Sequence, residues 1–293
     1  MKIILGTANF GQKYGLNNNK LTKNQAKQIL SVSRKNNIKQ IDTAIDYGNT
    51  ETILGDIGVD YLKICTKLPN IPKNLKKKQI EKWIFDQVQR SLKNLKVAKL
   101  HAILLHSTIQ LDSYRGRVAF HTLKKLKEKG IVKLVGYSIY STSELNKFFN
   151  KFKPDIIELP YNILDRRSKT NGWLLKLKKS KVEVWARSIF LQGLLLLPKT
   201  KRPVFFKRWN KLWNVWDSYC RISDPLEICL KFALKEKLIS KLVIGVNNKD
   251  QLSEIISIIK NNNNSINEII RNIIKKIKTN DKKLLEPFRW KKI

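Results

Sequence analysis

The sequence predicts an α/β fold, a single (β/α)8 TIM barrel over residues 1–293 with its active site at the C-terminal ends of the strands. Short β-branched runs alternate with longer amphipathic segments from one end of the chain to the other. Counted through, they give roughly eight β/α units, which parallel strands resolve as a closed barrel or a doubly wound sheet. No G-x-G-x-x-G follows the first strand, as a doubly wound dinucleotide fold requires, and this favours the barrel.

Ile3-Ile4-Leu5-Gly6 reads as the first strand, and Thr22 caps the helix behind it, with Ala26, Ile29, Leu30 and Val32 on one face. Gln40-Ile41-Asp42 is the second strand; Asn49 then caps a short helix through Leu54 that stops near Gly55-Asp56-Ile57-Gly58. Leu62 to Lys67 is the third strand, about Lys77 to Leu95 a longer helix, and Ala102 to His106 the fourth strand. Strand Lys133 to Gly136, helix Ser141 to Phe149, strand Ile156 to Leu159, helix Arg166 to Leu177 and strand Val182 to Ala186 continue the pattern. Phe190 to Arg221 is Trp-rich, basic and longer than an ordinary connection, so it reads as an insertion over a site. Asp224-Pro225, a cap and a first-turn proline, opens a helix to Glu236; strand Lys241 to Gly245 and helix Lys249 to Lys260 follow. Asn261 to Asn264 is a polar break before an amphipathic helix from Ser265 to about Thr279.

A hydrophobic share of 42%, seven Trp and no long Ser/Gly/Pro tract exclude a disordered or fibrous chain. Fifty-nine Lys+Arg against 23 Asp+Glu give a formal charge of +36. A clustered basic face would point to nucleic acid, but these lysines accompany Asn and Ile along the whole chain, as AT-rich coding DNA produces. The expectation is a solvated surface with no specific nucleic-acid partner. Cys65, Cys220 and Cys229 are odd in number and widely spaced, with no CxxC pair, which argues against disulfides and a zinc site; no metal is expected. The N-terminus is too short in apolar residues for a signal peptide, and the longest aliphatic run, Leu194 to Leu197, is too short to span a bilayer. The expected location is cytoplasmic, without a membrane partner.

In a β/α barrel the residues to question are polar ones that end apolar strands. Asp42, Lys67 and His106 end the second, third and fourth strands, and Tyr47 lies in the loop after Asp42. Singly each has an ordinary structural explanation: a turn-capping Asp, a snorkelling Lys, a core-edge His, a turn Tyr before Gly48. On one face they make a chemical set. A phenol with a pKa of ~10 is a poor acid at neutral pH, but a nearby ammonium stabilises the phenolate, and a carboxylate keeps the ammonium charged and placed. Tyr47 would protonate a substrate oxygen, Lys67 would tune it, Asp42 would anchor Lys67, and His106 would hydrogen-bond the same oxygen. None of these groups supplies a hydride, so a nicotinamide cofactor is implied.

The whole chain resembles the aldo-keto reductases. The matching motifs are Leu5-Gly6-Thr7-Ala8, Asp42-Thr43-Ala44-Ile45-Asp46-Tyr47-Gly48-Asn49 with Glu51, Thr66-Lys67, Leu104-Leu105-His106 and Val135-Gly136-Tyr137-Ser138. The resemblance implies that Asp42, Tyr47, Lys67 and His106 form the catalytic tetrad of a barrel that reduces carbonyls reversibly with NAD(P)H. It also implies cofactor contacts at Gly6, Thr7, Ser138, Glu158, Arg187, Ser188, Gly245, Asn247, Lys249 and Gln251. Within the family the chain is similar to bacterial reductases encoded with surface-polysaccharide and sugar-modification genes, through Gly11 to Leu16, Leu159 to Asp165 and Ala186 to Gly193.

Departures from the family pattern bear on the cofactor. Ser138 is followed by Ile139 where Ser-Asn is common, Glu158 replaces a Gln, and Arg187 stands where an aromatic stacks on the nicotinamide. Gln251 aligns with an Arg that grips a 2′-phosphate, and Ile255 with an Asn that contacts adenine. Lys249 restores a charge there, so NADPH is favoured, with NADH the alternative. Arg187 has a structural explanation too, pairing with Glu158 or Asp165, and Lys249 has one at a helix start. Cys65 shares the inward face of Lys67 and reads as barrel filling. Substrate choice is expected to rest on Ser107 to Arg117, the long segment after strand seven and the tail Glu286 to Ile293. Trp209, Trp213 and Trp216 recur at helical spacing, and Arg115, Arg117 and Arg208 are candidates for a phosphate or carboxylate, which suits a sugar or nucleotide-sugar substrate. A redox-sensing barrel with little turnover is the alternative; polyanion binding would require the lysines to gather on one face.

Overall fold

Alternation along each strand sorts its side chains into two layers, and this explains why the strands read as near-continuous apolar runs. The structure, a computed structural model, describes residues 1–16, 19–261 and 266–290. Strands β1 (Ile3–Gly6), β2 (Gln40–Asp42), β3 (Lys63–Leu68), β4 (Leu100–Leu105), β5 (Val132–Ser138), β6 (Ile156–Pro160), β7 (Glu183–Arg187) and β8 (Lys241–Gly245) pair in parallel in chain order. β8 returns to β1, with Ile3 beside Leu242 and Gly6 beside Gly245, so the barrel closes as expected. Ile4, Cys65, Ala102, Leu104, Ile156 and Trp185 fill its interior, joined by the partly buried Leu134 and Val243. Their neighbours Ile3, Leu5, Ile41, Ile64, Ile103 and Leu105 point outward into the larger layer beneath the helices.

Helices α1 (Lys23–Lys35), α2 (Thr50–Ile57), α3 (Lys77–Leu95), α4 (Tyr114–Glu128) and α5 (Thr142–Phe148) cover the first five strands. Thr22 and Gln25 form a capping box at the start of α1, where Ala26, Ile29 and Leu30 are buried and Val32 is partly so. Glu51 on α2 accepts from Thr66 on β3 and Ser91 on α3, both at 2.7 Å, which ties three elements together through one buried carboxylate. α2 runs past Leu54 to Ile57, and Asn49, although at the N-cap position, makes no side-chain cap bond.

Two further expectations are corrected. The helix expected over Arg166 to Leu177 is two, α6 (Arg167–Thr170) and α7 (Trp173–Lys179), because Gly172 adopts a left-handed φ of 73° between them. The segment Phe190 to Arg221, expected as an insertion over a site, meets the loop after β1, where the Leu16 amide donates to the Gln192 carbonyl at 3.5 Å. It runs through 3-10 turns at Leu191–Leu196, Lys199–Lys201 and Val204–Trp209 into α8 (Asn210–Cys220), and buries Trp213 and Trp216, whose indoles donate to the carbonyls of Phe206 and Leu195. α9 (Pro225–Leu234) and α10 (Lys249–Lys260) flank β8, followed by α11 (Ile266–Lys276) and a short α12 (Lys282–Leu285) that the sequence reading omitted. Residues 262–265, part of the expected polar break and the Ser265 helix start, and 291–293 of the tail lie outside the described residues. Among the described residues no helix is long and apolar enough to cross a membrane.

Closure also depends on Gly136, level with Ile156 on β6; a Cβ there would lie 1.7 Å from the Ile156 carbonyl oxygen, which strand pairing does not let move. Gly136→Ala is therefore expected to lose about 3 kcal/mol of stability in urea unfolding, the upper end of overpacking costs. Gly130→Ala, left-handed at φ 69° with nothing within 4 Å, should cost only ~1 kcal/mol.

Candidate active site

The inward parity set by Ile4, Cys65, Leu104, Ile156 and Trp185 continues one step to Gly6, Lys67, His106, Glu158 and Arg187. The pairs Gly6–Asp42, Gly6–Gly245 and Ser138–Glu158 share a register and therefore a face. The topmost inward position of all eight strands is thus held by Gly6, Asp42, Lys67, His106, Ser138, Glu158, Arg187 and Gly245. Six carry polar side chains. The two glycines sit side by side at β8 and β1, where the wall carries no side chain; Gly6 is buried and Gly245 is exposed.

Lys67 is 1% exposed, and its ammonium donates to Asp42 Oδ1 at 2.5 Å, Asp42 Oδ2 at 2.6 Å and the Thr43 carbonyl at 3.2 Å. Glu158 Oε2 lies 3.4 Å from the same nitrogen. Burial alone would lower the Lys67 pKa, but Asp42 and Glu158 outweigh it and hold the ammonium well above its ordinary range. Burial and the neighbouring Glu158 push Asp42 up to about 8. Burial would raise Glu158 too, but Lys67 and Arg187 bring it below the usual carboxylate value. Arg187 places Nε 3.4 Å from Glu158 Oε1, donates to the Ile139 carbonyl at 2.9 Å and stacks 4.4 Å above the Tyr140 ring. Its pairing is with Glu158; Asp165 is taken by Arg167 at 2.7 Å. Burial pushes the Cys65 thiol up, which suits a filler of the barrel and not a redox group.

Tyr47 is held by the turn after β2, where its carbonyl accepts from the Thr50 amide and hydroxyl. Its ring meets His106 edge-on at 5.6 Å and lies 5.7 Å from the Lys67 nitrogen. Lys67 acts on the phenol in the expected direction, but burial, Asp42, Tyr14 and Glu158 raise its pKa further than Lys67 lowers it. Tyr47 is therefore a protonated phenol across the neutral range. His106 Nδ1 faces Asp46 Oδ1 at 3.1 Å, and a carboxylate there makes Nδ1 the donor. Burial works against Asp46, yet the hydrogen bond and charge of His106 bring it below its ordinary value.

The remaining expected residues lie apart. The Thr7 hydroxyl is spent on the Asp42 carbonyl at 2.9 Å, locking β1 to β2. Ser188, left-handed at φ 58°, receives Arg187 Nη1 at 3.2 Å. Asn247, Lys249 and Gln251 form the start of α10: Gln251 accepts from the Asn247 amide at 2.8 Å, and Lys249 is exposed and unpaired among the described residues. Ile255 is buried beneath them. A cavity of about 700 Å³ opens beside His106, bounded by Thr108, Tyr140, Glu144, Lys147, Glu286 and Phe288. The Ser107 loop and the tail line it as expected, whereas the segment after β7 contributes nothing to it, and neither do Arg115, Arg117 and Arg208. Arg208 instead stacks on Phe205, and Arg115 reaches the Pro72 carbonyl.

Sequence reasoning missed five side chains. Asp46 was quoted in a motif but not seen as the partner of His106. Tyr14 feels the charges of Arg187 and Lys67 from the loop after β1, which meets the Gln192 carbonyl through the Leu16 amide at 3.5 Å. Tyr140 and Phe288 pack edge-on at 4.8 Å on the cavity wall. Arg167 secures that wall by donating to Asp165, to Glu286 at 2.9 Å and to the Tyr140 carbonyl at 3.1 Å.

Comparison with known proteins gives a family and a fold. Residues 2–274 match the model of the Aldo/keto reductase family. No curated protein matches. Among solved structures, aldo-keto reductase AKR11C1 from Bacillus halodurans superimposes in its holo form with a TM-score of 0.76 at 19% identity, covering 98% of this chain and 95% of that one. Its apo form gives 0.68 at 19% identity over 93% and 94%. The Pseudomonas aeruginosa protein PA4992, assigned to the aldo-keto reductases, gives 0.63 at 17% identity over 88% of each chain.

The Lys67 pair generates a pH-dependent prediction. Lys67→Met removes the ammonium that lowers both carboxyls, so Asp42 moves further above its ordinary 3.8 and Glu158 moves upward from its lowered value. Stability from such groups is complete below the unfolded values and is lost as the pH rises. Urea unfolding should show a loss of about 3–5 kcal/mol at pH 8 that narrows at pH 5.

Proposed function

We propose, because this chain belongs to the aldo/keto reductase family and is an NAD(P)H-dependent carbonyl oxidoreductase, that Asp42, Tyr47, Lys67 and His106 are its catalytic residues and a sugar or sugar derivative its substrate. The observation that carries the assignment is the Lys67 ammonium, held on Asp42 at 2.5 Å below the Tyr47 ring and beside His106. The reading extends to one barrel domain over residues 1–293 and a cytoplasmic location.

A nicotinamide supplies hydride to the carbonyl carbon, and the chain supplies the rest. Tyr47, kept protonated, donates its phenolic proton to the oxygen as that oxygen acquires alkoxide character. Lys67 stabilises the phenolate left behind, and Asp42 keeps Lys67 in place. His106, oriented by Asp46, hydrogen-bonds the same oxygen. The residues present fit the cofactor. The glycine gap at β8 and β1 gives backbone access, Ser138 and Glu158 offer polar groups at the wall, and the start of α10 carries Lys249 at a helix N-terminus suited to a phosphate. These features support NADPH as the preferred form. A cavity that sets the Tyr140–Phe288 ring pair beside Thr108, Glu144 and Lys147 supports a sugar, whose apolar ring face stacks on aromatics while its hydroxyls meet polar groups.

Tyr47→Phe is expected to lower kcat for carbonyl reduction by roughly 10²- to 10⁴-fold with NADPH affinity unchanged, followed by nucleotide absorbance and protein fluorescence. Turnover on aldoses or keto-sugars should exceed that on benzaldehyde; the reverse order would overturn the sugar assignment, and binding without turnover on any carbonyl would favour a redox sensor. Lys249→Met should weaken NADPH by about tenfold and NADH by less than twofold, read by calorimetry.

A further inference from the structure

Two carboxylates converge on the Lys67 ammonium, and it can serve only one of them with hydrogen bonds. Its three N–H groups are spent on Asp42 Oδ1, Asp42 Oδ2 and the Thr43 carbonyl. Glu158 Oε2 sits 3.4 Å away with no donor at all, buried from water. Its other oxygen is supplied: Ser138 donates to Oε1 at 3.0 Å, and the Arg187 guanidinium lies 3.4 Å from it. A buried acceptor without a donor costs about 1–3 kcal/mol, more when charged, so the orphaned oxygen calls for a proton. The groups around this carboxylate are committed cations, an acid, hydroxyls and a thiol. They are Asp42 on β2, Cys65 and Lys67 on β3, Ser138 on β5, Arg187 on β7, and the phenols of Tyr47 and Tyr14 in the loops above.

We propose that Asp42 and Glu158 hold one proton between them, and that Glu158, with Arg187 as its counter-charge, is a positioning residue that sets the pH range over which Tyr47 works as an acid. The proton sits on the Asp42 side and supplies the donor that Glu158 Oε2 lacks. Burial and Glu158 both push Asp42 upward, whereas Lys67 and Arg187 keep Glu158 ionised, and the two directions agree with that placement. Two carboxylates at close quarters share a proton for the same electrostatic reason elsewhere in proteins. The site thus carries Lys67, Arg187 and one carboxylate below the ionisation of the pair, and is electrically balanced above it. Glu158 also raises the Tyr47 phenol, so removing its charge moves the phenol down.

The part concerning Tyr47 rests on the catalytic reading above, whereas the shared proton does not, and the experiment separates them. Infrared spectra of the unliganded protein should show the C=O stretch of a neutral carboxylic acid at pH 6 that fades as the pH rises through about 8. The band should vanish in Glu158→Gln and in Asp42→Asn, and survive in Glu51→Gln, the other buried carboxyl whose pKa burial raises. In steady-state carbonyl reduction, Glu158→Gln should move the alkaline limb of kcat down by about one pH unit, a shift that a merely structural role would not produce. A wild-type spectrum with no such band, or a band unchanged in both Asp42→Asn and Glu158→Gln, overturns the shared proton. A band that behaves as expected in a protein without carbonyl turnover leaves the shared proton standing and overturns the catalytic reading. If Glu158→Gln fails to fold, the wild-type titration and Asp42→Asn still decide.

Discussion

Lys67 carries its charge into a barrel that water does not enter, and the arrangement of the strand ends follows from how that charge is met. Desolvating an ammonium costs several kcal/mol, and only close opposite charge with good hydrogen-bond geometry offsets it. Asp42 meets it on two oxygens, and doing so fixes β2 against β3. Glu158 approaches from across the barrel, and its carboxylate in turn draws in Arg187 from β7. Four strand ends are therefore held by one buried charge network. Tyr47 and His106 need no rigidity of their own, because each is set against this fixed group by a short turn and by Asp46 respectively.

The eight strands were legible because each was a β-branched run with a polar or glycine end, and because inward parity follows from a period of two. The helix starts at Thr22 and Asp224 were legible through side-chain caps that the structure retains. The break at Asn171-Gly172 was not read because the apolar spacing continues across it, and only the left-handed glycine interrupts the backbone. The course of the region after β7 was hidden for a different reason: Ser188, Leu191 and Gln192 take left-handed conformations that no local pattern announces, and Trp213 and Trp216 of α8 turn inward to the Phe206 and Leu195 carbonyls. Asp46 escaped because its partner His106 is sixty residues away, and no local pattern links them. The tetrad was readable from strand ends; the Arg187–Glu158 pair was visible as two departures from the family pattern, and its meaning emerged only from the register of β5, β6 and β7.

The mouth is uneven, and its unevenness divides its labour. One side, at β8 and β1, has glycines in place of side chains and the N-terminus of α10 nearby. The other, at β4 and β5, drops into the cavity beside His106. Between them stand the charged groups. An extended ligand entering over the glycines and a compact one entering through the cavity would meet at Tyr47, whose ring is placed against both Lys67 and His106. The lysines that dominate the composition take little part in this, since among the described residues Lys67 alone of them is fully buried.

Arg167 touches three parts of the chain at once: its own neighbour Asp165, the carbonyl of Tyr140 beyond β5, and Glu286 in the tail. Glu286 is held from its other side by Arg289. Without Glu286, Arg167 keeps only Asp165 and a carbonyl, and without Arg167, Glu286 keeps only the exposed Arg289, so a change at either position loosens the tail from the wall. Homologous chains should therefore inherit these two positions together or lose them together, and a lineage that loses both is free to rebuild the wall beside His106 and with it the range of molecules that the mouth admits.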